Sequence, residues 1–146
     1  MIIAIGSDHA GYRLKEHLIS FLNTAKIALK DFGVQSEESS DYPDIAANVS
    51  KAVQSGEFTC GILICGTGIG MSIVANKYKG IRAALCAEPF SARFAREHNN
   101  ANIITLGSRV TGPGLAEAIV EAYLAAEFEG GRHNRRLDKI VCIEKS

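Results

Sequence analysis

Two periods of hydrophobicity alternate along this chain. Short runs rich in Ile, Val and Leu stand between longer stretches where apolar residues recur every three or four positions. The run MIIAIGS predicts a buried strand. Beyond the DHAG loop, Leu14, Leu18, Phe21, Leu22 and Ala25 fall at helical spacing. IALKDFG predicts a second strand, interrupted by Lys30 and Asp31. VQSEESSDYP is the longest polar stretch and reads as a loop. Pro43 suits the first turn of a helix striped by Ile45, Val49 and Val53, which Gly56 can end.

The alternation continues to the end. CGILICG predicts a third strand, and the loop CGTGIGMS opens a helix through IVANKY. GIRAALCA predicts a fourth strand and EPFSARFAREHNN a helix, with Pro89 near its start. NIITLGS predicts a fifth strand. GPGLAEAIVEAYLAAEF predicts a helix with Leu115, Ile119, Tyr123 and Leu124 on one side. In GRHNRRLDKIVCIEKS, Leu137, Ile140, Val141 and Glu144 follow one another at helical steps. A β-α unit thus repeats about five times without internal sequence repeats. The expectation is an α/β fold: a doubly wound, five-stranded parallel sheet in a Rossmann-like three-layer αβα arrangement, one domain over residues 1–146. The striped C-terminal helix needs something to pack on, and a second subunit would serve.

Composition narrows the function. The 146 residues are 47% hydrophobic and 22% charged, ordinary values for a globular protein. Sixteen basic residues balance sixteen acidic ones, so no large basic face for nucleic acid is expected. No apolar run is long enough to cross a bilayer. The opening MIIAIGSDHAG lacks a basic n-region, which predicts a cytoplasmic protein. Cys60, Cys65, Cys86 and Cys142 match neither a paired zinc motif nor a disulfide framework.

Ligands of doubly wound sheets bind beyond the carboxyl ends of the strands. Asp8 and His9 follow the first strand, Cys65 and the glycine loop the third, Glu88 the fourth, Ser108 and Arg109 the fifth. Gly66, Gly68 and Gly70 alternate as G-x-G-x-G, which is neither the dinucleotide fingerprint nor a P-loop. Such a loop either lets a helix pack close to the sheet or aims several N–H groups at one negative oxygen. Cys65 stands directly before it, where amide donors favour the thiolate, the reactive form. It is a candidate nucleophile or general base, with a buried strand residue as the plain alternative. Thr67 could bond that thiolate, the substrate or the helix start.

Elsewhere, His98 ends a helix, where a cation is favoured by the dipole in any case. Arg132 and Arg136, four residues apart in RHNRR, would share a helix face and suit a phosphate dianion or simply solvent. These pieces fit a small phosphorylated substrate with a proton to be moved beside a carbonyl. Two other classes are a nucleotide-binding, flavodoxin-like module and a thiol redox protein. The first lacks the fingerprint. The second lacks a C-x-x-C pair, and Cys60 points to the opposite face from Cys65.

GSDHAG, SSDYPD, GILICGTGIGMSIVANKYKGIRA, REHNNANIITLGSR and EGGRHNRR occur in an order that resembles the type B ribose-5-phosphate isomerases, a family that includes galactose-6-phosphate isomerase subunits. The likeness runs over nearly the whole chain. It implies interconversion of ribose 5-phosphate and ribulose 5-phosphate in the pentose phosphate pathway, without metal or cofactor, through an enediolate. A six-carbon aldose 6-phosphate, of allose or galactose, is the alternative substrate. The family base falls on Cys65; some relatives use a glutamate further along the loop, where Met71 and Ser72 stand here. The resemblance places oxyanion donors on Gly66, Thr67, Gly68, Ile69 and Gly70, and the ring-opening acid on His98 with Asp8 assisting. It places substrate and phosphate contacts on His9, Asn99, Arg109, Arg132 and Arg136, with Tyr42 lining the pocket. It also implies a homodimer or tetramer whose sites are shared between subunits.

Overall fold

The computed structural model describes residues 1–146. Its strands are β1 (Ile2–Ser7), β2 (Ala28–Asp31), β3 (Cys60–Cys65), β4 (Ala83–Leu85) and β5 (Ile103–Gly107). Its helices are α1 (Tyr12–Thr24), α2 (Tyr42–Gln54), α3 (Ile69–Ala75), α4 (Pro89–Asn99), α5 (Pro113–Ala125) and α6 (Arg132–Lys145). All strands are parallel, in the order β2-β1-β3-β5-β4. Alternation along each strand assigns side chains to two cores. Ile3, Ile5, Ile62, Ile64, Ile104 and Leu106 join residues of α1, α4 and α5 on one face. Ala4, Leu63, Cys65 and Ile103 join residues of α2 and α3 on the other. This is the doubly wound, three-layer αβα fold, and covering both faces is why β1, β3 and β5 read as unbroken apolar runs.

The two edges account for the weaker strand signals. β2 carries Lys30 and Asp31 because an edge strand tolerates charge and is protected by it. Lys15, fully buried on α1, pairs with Asp31 there. β4 is three residues long, much shorter than the GIRAALCA run. Likewise α3 stops at Ala75 instead of continuing through Tyr78. The reason is Asn76, whose side chain binds the backbone of Ala83 twice, as acceptor and donor, each at 2.9 Å. Asn76 is the C-cap, its own N–H still bonding the Ser72 carbonyl at 3.1 Å, and its side chain ties the helix end to the start of β4. On α5, Leu115 is 42% exposed and the buried stripe is Ala116, Ile119, Val120 and Tyr123. The C-terminal helix α6 leans on the β4 edge, where the Glu144 carboxylate accepts the Gly80 N–H at 3.0 Å.

Candidate active site

From β1 the chain moves outward to β2 in one direction and to β3 in the other. The crevice this leaves lies beyond the carboxyl ends of β1 and β3, the place where open α/β sheets bind ligands. Ser7 pairs with Ile64, and the Asp8 N–H still bonds the Ile64 carbonyl at 3.3 Å. Asp8 is thereby set level with Cys65. On the other side Cys65 pairs with Gly107 in register. The Ser108 N–H then bonds the Cys65 carbonyl (2.8 Å) and the Arg109 N–H the Gly66 carbonyl (3.0 Å). Strand pairing thus delivers an acid, a thiol and a guanidinium to one rim.

The glycine loop is built around Cys65. The Gly68 N–H donates to Cys65 Sγ at 3.1 Å. Gly68 is left-handed, with φ 79°, a conformation that turns its amide back toward the strand it has just left. Its carbonyl accepts from the buried Thr105 hydroxyl at 2.8 Å. Both ends of this residue are therefore held. Thr67 bonds neither thiol nor strand: its Oγ1 accepts the Ile69 N–H at 3.3 Å. Two of the five loop amides, those of Gly68 and Ile69, are thus engaged inside the loop. The N–H groups of Gly66, Thr67 and Gly70 have no protein acceptor. Preorganised free amides beside a thiol are what a developing oxyanion requires. Tyr42, 39% exposed, packs its ring on Gly70 so closely that a Cβ there would lie 2.6 Å from Tyr42 Cε2. Asp8 is buried, and its Oδ1 accepts the Gly11 N–H at 3.1 Å.

Glu88 takes no part in this rim. It caps α4, its carboxylate accepting the Ser91 N–H at 2.8 Å, which also holds its pKa below the ordinary value. Burial pushes the Cys60 and Cys86 thiols up to about 11 and about 12, the state of inert core residues. Cys60 and Cys65 belong to opposite cores, so they form no dithiol pair.

The remaining expected residues lie at the other end of the sheet. α4 starts after the carboxyl end of β4 and runs back, so His98 and Asn99 sit beside the amino end of β5. Within one chain the length of the sheet separates them from Cys65. His98 stacks on His133 at 4.3 Å with the rings 15° from parallel, and packs against Phe94 at 4.5 Å. A single oxygen, Glu129 Oε2, lies 3.8 Å from His98 Nε2 and 3.4 Å from His133 Nε2. Arg132 and Arg136 flank His133 on the first turns of α6, exposed and without an acidic partner. The ligand atoms of His98, Glu129 and His133 fall within 4.8 Å of one another. Near-parallel rings, however, cannot both aim an in-plane nitrogen lone pair at one ion, so the stack is not arranged as a metal site.

Sequence reading overlooked His133, Glu129, Thr105 and Ser40. The four-residue spacing of Glu129 and His133 was the available signal for that pair, although Glu129 lies before the start of α6. A cleft of about 510 Å³ borders the rim over Ala10, Arg13, Ser108 and Arg109 and does not include Cys65. Cys65 itself is buried, 6% exposed, under the glycine loop.

Known proteins match both the sequence and this geometry. The Ribose/Galactose Isomerase family profile matches residues 3–140. Ribose-5-phosphate isomerase B of Escherichia coli is 49% identical over 143 residues, covering 98% of this chain and 96% of that protein. A D-erythrulose-4-phosphate isomerase of Pectobacterium atrosepticum is 47% identical over 143 residues, covering 97% and 94%. The solved structure of Clostridium thermocellum ribose-5-phosphate isomerase B superposes with a TM-score of 0.98 at 54% identity, covering 99% of this chain and 98% of that one. No helix here is long and apolar enough to cross a membrane. With its sheet order, its thiol-capped glycine loop and these near full-length likenesses, the chain belongs to the ribose/galactose isomerase family of sugar-phosphate isomerases.

Proposed function

We propose that this chain interconverts ribose 5-phosphate and ribulose 5-phosphate, with Cys65 as the base. The observation that carries this reading is the thiol held by the Gly68 N–H beside three amides that have no protein acceptor. The Cys65 thiolate removes the proton from C2 of the open-chain aldose. The C2–H electrons form the C1–C2 double bond, and the C1 carbonyl becomes an oxyanion facing the free N–H groups of Gly66, Thr67 and Gly70. Asp8 relays the C2 hydroxyl proton toward that oxygen, and the cysteine returns its own proton to C1, leaving a C2 ketone. One oxyanion donor contributes about 2.7–4 kcal/mol to such a step. A positioned general base adds about 10²–10⁴-fold.

Two half-sites complete the reading. Asp8, His9, Tyr42, Cys65 and Arg109 come from one subunit. His98, Asn99, Arg132 and Arg136 come from the opposite end of a second copy, in a homodimer or a tetramer that α6 helps to build. His98 then opens the furanose ring, and the paired arginines and His9 hold the phosphate. Holding that remote group fixes C2 against the thiol. A thiol base needs a compartment that keeps thiols reduced, as the cytoplasm does. Incubation with ribose 5-phosphate and a chelator in deuterated water should give ketose and deuterium at the exchanging carbon. Cys65→Ala should abolish both, and a fully active variant would end the base assignment. The Pectobacterium relative is named for a four-carbon substrate and the family also for galactose, so chain length is a second variable. Ranking kcat/KM over four-, five- and six-carbon aldose phosphates decides it.

A further inference from the structure

His9 and Ser40 are joined by two reciprocal hydrogen bonds across 31 residues of sequence. The His9 N–H donates to Ser40 Oγ at 3.1 Å, and the Ser40 N–H donates to His9 Nδ1 at 3.2 Å. The second bond has a consequence for the ring. A backbone N–H can only donate, so the Nδ1 facing it must carry the lone pair. In the neutral imidazole the proton then sits on Nε2, and which nitrogen is protonated is set by the bond the other one makes. His9 Nε2 has no protein partner. The ring is half-buried at the carboxyl end of β1, next to Asp8, with its free N–H left for a ligand.

The loop that presents Ser40 is itself anchored. Asp31, at the end of β2, accepts the Gly33 N–H at 2.8 Å and the Gln35 side-chain amide at 3.1 Å while pairing with buried Lys15. The Val34 N–H bonds the Ser7 carbonyl at 3.1 Å. At its far end the loop runs directly into Tyr42, the first residue of α2. Residues 32–41 thus connect a fixed ion pair to the rim of the crevice, and Ser40 is the point where they grip the histidine.

We propose that Ser40 is a positioning residue: it locks His9 in the Nε2–H tautomer, so that the ring presents a donor to a phosphate oxygen of the sugar phosphate. The proposal rests on the isomerase reading for the identity of the ligand, but the tautomer belongs to the free protein. A hydrogen bond to a charged group is worth enough that losing its alignment costs about tenfold in binding.

The test is ¹⁵N NMR of the histidine rings in ligand-free protein, with His9 assigned by His9→Gln, followed by kinetics on ribose 5-phosphate. Wild type should show His9 with a pyrrole-like Nε2 and a pyridine-like Nδ1. Ser40→Pro, which removes the amide donor, should move both shifts toward a tautomer mixture. It should also raise KM about tenfold with kcat changed less than about twofold. Ser40→Ala keeps the amide and should keep the tautomer, with a smaller rise in KM. A protonated Nδ1 in wild type would overturn the proposal even if Ser40→Pro failed to fold. A shifted tautomer with unchanged KM would overturn the link to phosphate. Absence of any turnover by wild type, with the tautomer intact, would strike the isomerase reading instead.

Discussion

Gly68 gives its N–H to Cys65 Sγ and its carbonyl to the Thr105 hydroxyl, so one glycine ties the thiol on β3 to the neighbouring strand β5. The loop amides are therefore aimed by the sheet. The φ of 79° that makes this possible is costly for any residue with a Cβ, and a Cβ here would also lie 2.9 Å from the Leu106 carbonyl carbon.

Gly68→Ala should consequently damage both stability and turnover. The strained conformation costs about 1–3 kcal/mol, and moving the amide off the sulfur should lower kcat at least about tenfold. Gly80→Ala is the control, because Gly80 has a φ of 77° with open space around it. It should lose stability through the backbone alone and retain kcat. Thermal melts paired with initial rates separate the two. Equal kcat in Gly68→Ala and wild type would show that the loop amides need no such anchoring.

Three buried acids should make stability fall in alkali. Burial raises the Cys60 and Cys86 thiols from an ordinary value of 9.0 to about 11 and about 12, and raises the Tyr123 phenol as well. Below about pH 9 both folded and unfolded chains keep these protons, and the groups add no pH dependence. Above it the unfolded chain releases them first, so the fold loses stability as pH climbs toward 11 and 12. The melting temperature should drop steadily from pH 9 to 11. Cys60→Ala with Cys86→Ala should flatten that slope, whatever it does to stability at pH 7.

The ring-opening role proposed for His98 can be tested apart from the proton transfer. A five-carbon aldose phosphate closes into a furanose and needs an acid to open. A four-carbon sugar phosphorylated at its last hydroxyl cannot close that ring. His98→Asn should reduce kcat/KM on ribose 5-phosphate by about 10²-fold or more. On D-erythrulose 4-phosphate, the substrate named for the Pectobacterium relative, the loss should be markedly smaller. Equal losses on the two sugars would assign His98 to binding or to the chemical step.

How much of this was legible in the chain depended on whether the signal was local. β1, β3 and β5 are covered on both faces and announced themselves as apolar runs, and the carboxyl-end inventory of Asp8, His9, Cys65 and Arg109 followed from their order. β4 was overextended and α3 overrun because the decisive bond, from the Asn76 side chain to the Ala83 backbone, bridges seven residues and has no periodicity. The grip of Ser40 on His9 and the stack of His133 on His98 were invisible for the same reason. Each joins residues that only the tertiary fold brings together. Arg132 and Arg136 were visible as a pair, but their position opposite Cys65 depended on the direction in which α4 and α6 run.

That separation makes the sharpest prediction. If each site draws Cys65 from one subunit and His98 with Arg136 from another, two inactive variants can repair each other. In a homodimer of Cys65→Ala both sites lack the base; in a homodimer of His98→Asn both lack the acid. Mixing them by unfolding and refolding, or by co-expression, forms hybrids in which one site collects both substitutions and the other collects neither. With random pairing half the dimers are hybrids, and half of their sites are intact. Activity on ribose 5-phosphate should return to about a quarter of the wild-type value. Substituting Arg136→Ala for His98→Asn should give the same recovery, measured as the KM of the restored site. Sites contained within one chain would give no recovery at any mixing ratio, because every chain in the mixture would still carry a broken site.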